Sequence, residues 1–287
     1  MKVNKAVIVA AGWGTRFLPV TKSQPKEMLP LIDKPLIQYA VEEAVSSGME
    51  RVVVITAPGK QAISDYFAPA PELESFLEQR GKTKLLGEVL KLTNLAEISY
   101  VTQEERLGLG HAILMTRNAI GNEPFAVLLP DDIVDSKVPL LKQMLDVFER
   151  YQTNILAVER ISRRKSKKYG VIEPKKVAAG MYQVLGLVEK PEPEAAPSNL
   201  GIVGRYILMP QIFDAIEATP PGGGREIQLT DALQLLLKKQ AIYALEFDGV
   251  HYDTGSPQGW LEAQVALALK HPDLGPELRR QLRRLLN

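Results

Sequence analysis

Lys5-Ala6-Val7-Ile8-Val9-Ala10-Ala11-Gly12-Trp13-Gly14-Thr15-Arg16 is an apolar, largely β-branched run that breaks into a loop of small residues and ends on a cation. Val7–Val9 shows no polar alternation, the mark of a strand buried on both faces, as in a parallel sheet covered by helices. A small-residue loop directly after such a strand lets the backbone approach a ligand closely and offers N–H groups to anionic oxygens. The same apolar pattern returns at Val52–Ile55. Strand-like runs recur at Lys5–Ala10, Arg51–Thr56, Ile98–Gln103, Pro124–Leu129, Asn154–Val158, Tyr182–Glu189, Val203–Met209 and Ile242–Phe247. Between the first four, Pro35–Ser47, Lys60–Tyr66, Pro71–Lys91 and His111–Ala119 carry helical periodicity. This alternation predicts an α/β fold in three layers, with a mixed, mainly parallel, Rossmann-like sheet between helices. Beyond about residue 160 the helices thin out, so a mixed or antiparallel region is expected beside the first sheet. Ligands of open α/β sheets bind beyond the carboxyl ends of strands, which directs attention to the loops there.

Composition excludes several functions. The 287 residues carry 35 Lys plus Arg against 34 Asp plus Glu, a formal charge of +1. A protein that neutralises nucleic-acid phosphates carries a marked basic excess, so no nucleic-acid partner is expected. With no cysteine there is no disulfide, thiolate metal site or Cys nucleophile. For 31.8 kDa a compact fold exposes about 12,000 Å² of about 46,000 Å² in the unfolded chain, enough burial for a core without staples. Lys2 and Lys5 before Ala6–Gly14 faintly resemble a signal peptide, but two glycines and Arg16 interrupt the run. No window approaches the roughly 20 apolar residues of a membrane span, so a cytoplasmic protein without a membrane partner is expected. Arg163–Lys168, five basic residues in six, reads as a solvated segment. Arg279, Arg280, Arg283 and Arg284 interleave with Leu278, Leu282, Leu285 and Leu286, an amphipathic helix suited to packing or self-association.

The loop after the first strand lacks the third glycine of a dinucleotide fingerprint, Phe17 standing there, and no Gly-x-x-x-x-Gly-Lys-Ser/Thr string occurs. A bare Gly-x-Gly suits a tight turn as well as a site. Its neighbourhood sharpens the reading: Arg16 and Lys26, ten residues apart, offer a planar fork and a point charge to a polyphosphate. Asp131 and Asp132 end the Phe125–Leu129 run, where only one of two adjacent extended residues can face a given ligand.

The run Ala10–Pro19, Pro25-Lys26-Glu27-Met28-Leu29-Pro30, Gly108-Leu109-Gly110-His111-Ala112 and Leu129-Pro130-Asp131-Asp132 resemble the bacterial UTP–glucose-1-phosphate uridylyltransferase family of sugar nucleotidyltransferases. Tyr169-Gly170-Val171, Val188-Glu189-Lys190-Pro191, Gly204-Arg205-Tyr206 and Glu226-Ile227-Gln228-Leu229-Thr230-Asp231-Ala232 extend the likeness over roughly Val3 to Ala268. The resemblance implies a nucleotide-diphospho-sugar transferase fold in one unit. Its nucleotide-binding part would span about 1–135, its sugar-binding part about 136–255 and its C-terminal helices 256–287. It implies that the backbone of Ala11, Gly12, Gly14 and Thr15 cradles the phosphates of UTP, with Arg16 and Lys26 on the α-phosphate and departing pyrophosphate. By the same resemblance Gln103 and Gly108 contact uracil, Asp131 and Asp253 hold Mg²⁺, and Gly170, Glu189 and Lys190 receive glucose 1-phosphate. Arg16, Lys26 and Lys190 are the implied catalytic groups, and a homodimer or homotetramer is the implied assembly.

The chain departs from that pattern at Trp13, where an aliphatic residue is usual, at Ser23-Gln24, at Arg225 among glycines, and at Ser256-Pro257-Gln258, which lacks a Lys. These departures bear on substrate selectivity and subunit contacts. A phosphate monoester has a second pKa near ~6, so glucose 1-phosphate is already an anionic nucleophile and needs no general base. His111, His251 and His271 accordingly show no catalytic or metal-ligand grouping and read as structural or surface residues. The expected reaction is direct in-line attack on the α-phosphorus of UTP. A thymidylyl- or guanylyltransferase, and a non-catalytic sugar-nucleotide sensor, are the alternatives.

Overall fold

The computed structural model describes residues 1–286; Asn287, the last residue of the expected C-terminal helical part, lies outside them. Nine strands make one sheet: β1 Lys5–Val9, β2 Arg51–Thr56, β3 Glu97–Thr102, β4 Phe125–Leu128, β5 Asn154–Arg160, β6 Gly170–Ala178, β7 Met181–Glu189, β8 Leu200–Leu208 and β9 Ile242–Glu246. Their spatial order is β3-β2-β1-β4-β8-β5-β9-β7-β6. The pairs β1/β2, β2/β3, β1/β4 and β5/β9 are parallel, while β8 runs antiparallel to β4 and β5, and β7 to β9 and β6. All eight strand-like runs become strands, and the antiparallel part lies after residue 160 as expected.

Period-two alternation explains the three layers. Val7, Val53, Ile55 and Val127 point to one face, where they pack with Ile113, Ile120, Phe213, Ile216, Leu229 and Leu233 from helices. Ala6, Ile8, Val52 and Val54 point to the other, against Ile37, Val41, Ile63, Leu141, Met144 and Phe148. A third, smaller cluster of Leu29, Leu31, Leu36, Ile133 and Ala263 fastens the segment after the glycine loop.

Two helix expectations need correction. Pro71–Lys91 is not one helix but two, Pro71–Gln79 and Thr83–Thr93, because Gly81 between them adopts a positive φ of 64°. His111–Ala119 divides into Gly108–Leu114 and Arg117–Ile120. The two strand-like segments Asp132–Asp135 and Val250–Asp253, not foreseen, pair antiparallel outside the main sheet. The accessible surface, 14,862 Å², exceeds the compact expectation, and the helices Pro71–Gln79 and Thr83–Thr93 are largely exposed. Leu77 is the one buried residue of Pro71–Gln79, and Thr83–Thr93 has none. The C-terminal amphipathic helix is present as Gly275–Leu286, with Leu285 80 % exposed.

Candidate active site

The chain leaves β1 through Ala10, whose N–H donates to the Ile55 carbonyl at 2.8 Å, and turns at Gly14 in the left-handed region, φ 70°. A Cβ on Gly14 would lie 3.1 Å from both Lys26 Cβ and Thr21 Cγ2, so the position needs glycine for close approach as well as for its turn. Thr21 Oγ1 donates to the Gly14 carbonyl at 2.8 Å and holds the turn closed. Beneath it Lys60 Nζ donates to the Ala10 carbonyl at 2.6 Å and to Glu27 Oε2 at 2.7 Å. Glu27 is 1 % exposed and its Oε1 has no partner. Burial pushes the Glu27 carboxyl above its ordinary range, outweighing Lys60 and Lys26, and pushes Lys60 below its own.

β4 leads to Asp131, whose Oδ2 accepts a 2.5 Å hydrogen bond from Lys26 Nζ. Burial opposes ionisation of this carboxyl, but Lys26, aided by Arg16, holds it below its ordinary range. Asp132 points the other way, as adjacent residues on an extended chain must. Its Oδ2 accepts from the Gly204 N–H at 3.1 Å, and its Oδ1 meets His251 Nε2 at 2.7 Å. Thr254 ties the second carboxylate to the first: its N–H and Oγ1 both donate to the Asp131 carbonyl at 2.8 Å. A Cβ on Gly255 would sit 2.7 Å from Asp131 Oδ2, 3.0 Å from Asp253 Oδ1 and 3.1 Å from Arg16 Nη1, so these three groups surround one spot. Arg16 Nη1 donates to the Gly255 carbonyl at 3.1 Å. Arg205, 1 % exposed, braces the turn from behind, donating to the Leu129 and Asp132 carbonyls while Glu43 holds its guanidinium.

His251 is structural, in keeping with the sequence reading, and the structure supplies the partners that the sequence did not. Its ring lies between Asp132 and, at 2.9 Å, Glu159 Oε1. Burial acts against its charge, yet the two carboxylates raise its pKa to about 10, which makes it a structural cation orienting Asp132.

At the opposite end, Glu189 pairs in register with Gly170 across β7 and β6. Thr230 Oγ1 donates to Glu189 Oε2 at 2.7 Å, and Lys190 Nζ lies 3.0 Å from Glu189 Oε1. A side chain on Gly170 would press on Thr230 Oγ1 at 2.9 Å, which keeps this wall bare. Gln103 sits just past β3, 3 % exposed, its Nε2 near the Gly108 carbonyl at 3.3 Å and His111 Nδ1 at 2.9 Å. The two motifs flanking this end clasp each other: Ile227 N–H donates to the Leu107 carbonyl at 2.7 Å, and Gly110 N–H to the Ile227 carbonyl at 2.8 Å.

The glycine loop, the turn after β4 and the wall formed by Gly170, Glu189 and Lys190 line one cleft of about 860 Å³. Ala11, Gly12, Gly14, Thr15, Arg16, Lys26, Gln103, Gly108, Asp131, Gly170, Glu189, Lys190 and Asp253 all face it, so every residue the sequence singled out for a ligand is gathered there. Trp13, Glu27, Arg106, Lys168 and Thr230 face it too and were assigned no role. Lys168 ends the basic run read as solvated; nothing in a lone charge run distinguishes the one member that faces a cleft. Asp131 and Asp253 fit a small hard cation by their donor chemistry, both presenting carboxylate oxygen around Gly255, and burial together with Asp132 and Asp131 pushes the Asp253 carboxyl above its ordinary range. Among the described residues no group of three or more His, Asp or Glu is placed to hold a metal ion.

A family model described as nucleotidyl transferase matches residues 5–270. The UTP–glucose-1-phosphate uridylyltransferase of Bacillus subtilis is 48 % identical over 286 residues, 100 % of this chain and 98 % of that one. That of Staphylococcus epidermidis is 48 % identical over 284 residues, 99 % of each. Among solved structures, the UTP-bound UGPase from Acinetobacter baumannii superposes with a TM-score of 0.92 at 38 % identity, covering 99 % of this chain and 100 % of that one. A UDP-glucose pyrophosphorylase complexed with UDP-glucose gives 0.86 at 44 % identity, covering 94 % and 100 %. No helix among the described residues is long and apolar enough to cross a membrane.

Proposed function

The chain belongs to the nucleotidyl transferase family, and from that premise we infer that it transfers the uridylyl group of UTP to glucose 1-phosphate, forming UDP-glucose and pyrophosphate. One observation carries the reading at the level of geometry. The glycine loop with Arg16 and Lys26, and the Gly170, Glu189 and Lys190 wall, face each other across a single cleft. A nucleoside triphosphate laid on the first and a sugar phosphate held by the second meet there as two polyanions, and their mutual repulsion is the obstacle to reaction.

The residues present answer that obstacle by position and charge. Backbone N–H groups of Ala11 to Thr15 receive the phosphates, and Arg16 and Lys26 bind the α-phosphate and the pyrophosphate as negative charge moves to it. Gln103 is engaged through its Nε2, which fixes its amide plane and leaves Oε1 to the uracil edge, with Gly108 beside it. Glu189 accepts hydrogen bonds from sugar hydroxyls, oriented by Thr230, while Lys190 holds the phosphoryl group of glucose 1-phosphate. Asp131 and Asp253 would hold Mg²⁺, which supplies charge neutralisation at the transferring phosphorus when bound. The nucleophile is already anionic near neutral pH, so attack is direct and in line, no covalent enzyme intermediate forms, and configuration at phosphorus inverts. Residues 1–287 act as one nucleotidyltransferase unit in the cytoplasm, as a homodimer or homotetramer.

The test is pyrophosphate release from UTP, glucose 1-phosphate and Mg²⁺ by the purified protein, with dTTP and GTP as competing nucleotides. UTP-dependent release far above an Arg16→Ala control is expected. Release with dTTP alone, or none above the control, overturns the assignment.

A further inference from the structure

Trp13 and Arg106 join three separate segments across the mouth of the cleft. The Arg106 guanidinium carbon lies 3.5 Å from the centroid of the Trp13 ring, a cation–π stack. The same guanidinium donates through Nε to the Ala11 carbonyl at 2.9 Å and through Nη2 to the Pro58 carbonyl at 3.3 Å. One side chain thus connects the loop after β1, the loop after β2 and the segment after β3. Both residues line the cleft, and Trp13 is nevertheless 66 % exposed. Leaving so much indole surface in water is unfavourable, and pinning it with a charged group in a fixed orientation costs rotamer freedom as well. Such a surface is accounted for if a ligand covers it. The stack also stands at a defined end of the cleft, because Arg106 lies between Gln103 and Gly108 in sequence and Gln103 Nε2 reaches the Gly108 carbonyl.

We propose that Trp13, held by Arg106, is a nucleotide-binding wall that covers the base and ribose end of UTP, with Arg106 as the positioning residue that sets both the indole and the Ala11 carbonyl. The inference rests on the uridylyl-transfer reading and deepens it. An aromatic face accepts any base by stacking, so this wall sets affinity for the nucleotide and leaves the choice of base to Gln103. The contact lies away from the reacting phosphorus and is made equally in the ground and transition states. Its loss therefore raises KM for UTP and leaves kcat and the KM for glucose 1-phosphate nearly unchanged.

Steady-state kinetics of Trp13→Leu, Arg106→Gln and the double variant, each substrate varied against saturating partner, test this. Stacking on one base supports a KM for UTP raised about fivefold to tenfold in Trp13→Leu. A smaller rise is expected in Arg106→Gln, and a double variant no more than about twofold worse than Trp13→Leu, because both substitutions remove one device. In a Trp260→Phe background, which leaves Trp13 the sole tryptophan, UTP alone should change the Trp13 emission saturably. An unchanged KM for UTP in both single variants, an equal rise for both substrates, or an emission indifferent to saturating UTP overturns the wall. Failure of the wild type to release pyrophosphate would instead overturn the activity reading, so the two failures are told apart in one experiment.

Discussion

Replacing Lys60 by methionine tests whether the glycine loop is held from beneath by a buried charge. Lys60 is 8 % exposed and donates to Glu27 Oε2 at 2.7 Å and the Ala10 carbonyl at 2.6 Å, while Glu27 is 1 % exposed. Methionine keeps the apolar stem but removes the ammonium, leaving a buried carboxylate without its nearest donor. Removing one partner of a buried pair costs about 3–5 kcal/mol, against about 0–1 for a surface pair. Protonation of Glu27 limits the loss, so about 3 kcal/mol is expected near neutral pH. The sign with pH follows from the direction of the shift. Burial already raises the Glu27 carboxyl, and without Lys60 its folded-state pKa rises further above the unfolded value near ~4.3. Stability of the variant is then fully present below about pH 4.3 and falls as pH rises through the folded pKa, by up to ~1.4 kcal/mol per unit. Urea unfolding of both proteins at pH 5 and pH 8 should show a deficit that widens at pH 8, and Glu27→Gln with Lys60→Met should recover part of it. A loss under about 1 kcal/mol, or a deficit independent of pH, would refute the reasoning.

Three further outcomes are expected. Lys190→Ala should raise the KM for glucose 1-phosphate about tenfold or more, the worth of one charge-assisted hydrogen bond, with UTP affinity kept; a fall in kcat alone with unchanged Kd for the sugar phosphate contradicts the binding role. Asp253→Asn should raise the Mg²⁺ concentration for half-maximal activity at least about tenfold while the thermal midpoint stays within a few degrees, and an unchanged Mg²⁺ profile removes Asp253 from the cation site. Gly204→Ala should cost at least about a hundredfold in kcat/KM, because its new methyl group collides with the Asp132 carboxylate and lies 2.6 Å from Leu129 Cβ, displacing the turn that carries Asp131; near-normal activity would show that the turn yields without consequence.

What the sequence revealed about the fold tracks where physics is local. β1 and β2 were legible because strands buried on both faces must be apolar throughout. β6 was not, because Gly170–Ala178 contains Pro174, Lys175 and Lys176 and lies at the sheet edge, where proline and lysine are tolerated and the apolar signal fades. The break at Gly81 was hidden inside a segment whose periodicity continues on both sides. Glu27, Lys60 and His251 escaped for another reason. Their meaning lies in partners 33 and 119 positions away, Lys60 to Glu27 and His251 to Asp132, and no spacing rule reaches that far.

The candidate site shows the same limit from the other side. Lys26 was assigned to phosphate and Asp131 to a cation, as if the two were independent, yet their side chains form a 2.5 Å ion pair and each is only 20 % exposed. A phosphate that draws Lys26 toward itself takes from Asp131 the charge that keeps its carboxyl ionised against burial. The carboxylate then needs another positive partner, and Asp253, whose carboxyl burial pushes up, stands around the same spot. Nucleotide binding and cation binding are therefore expected to be coupled through Lys26, each ligand strengthening the other by the same factor, and UTP affinity measured with and without Mg²⁺ in the wild type and in Lys26→Met checks this. The near-zero total charge of the chain conceals this arrangement, since Arg16, Lys26 and Lys190 stand in one cleft with Asp131, Glu189 and Asp253, and substrate is expected to draw Lys26 from carboxylate to phosphate.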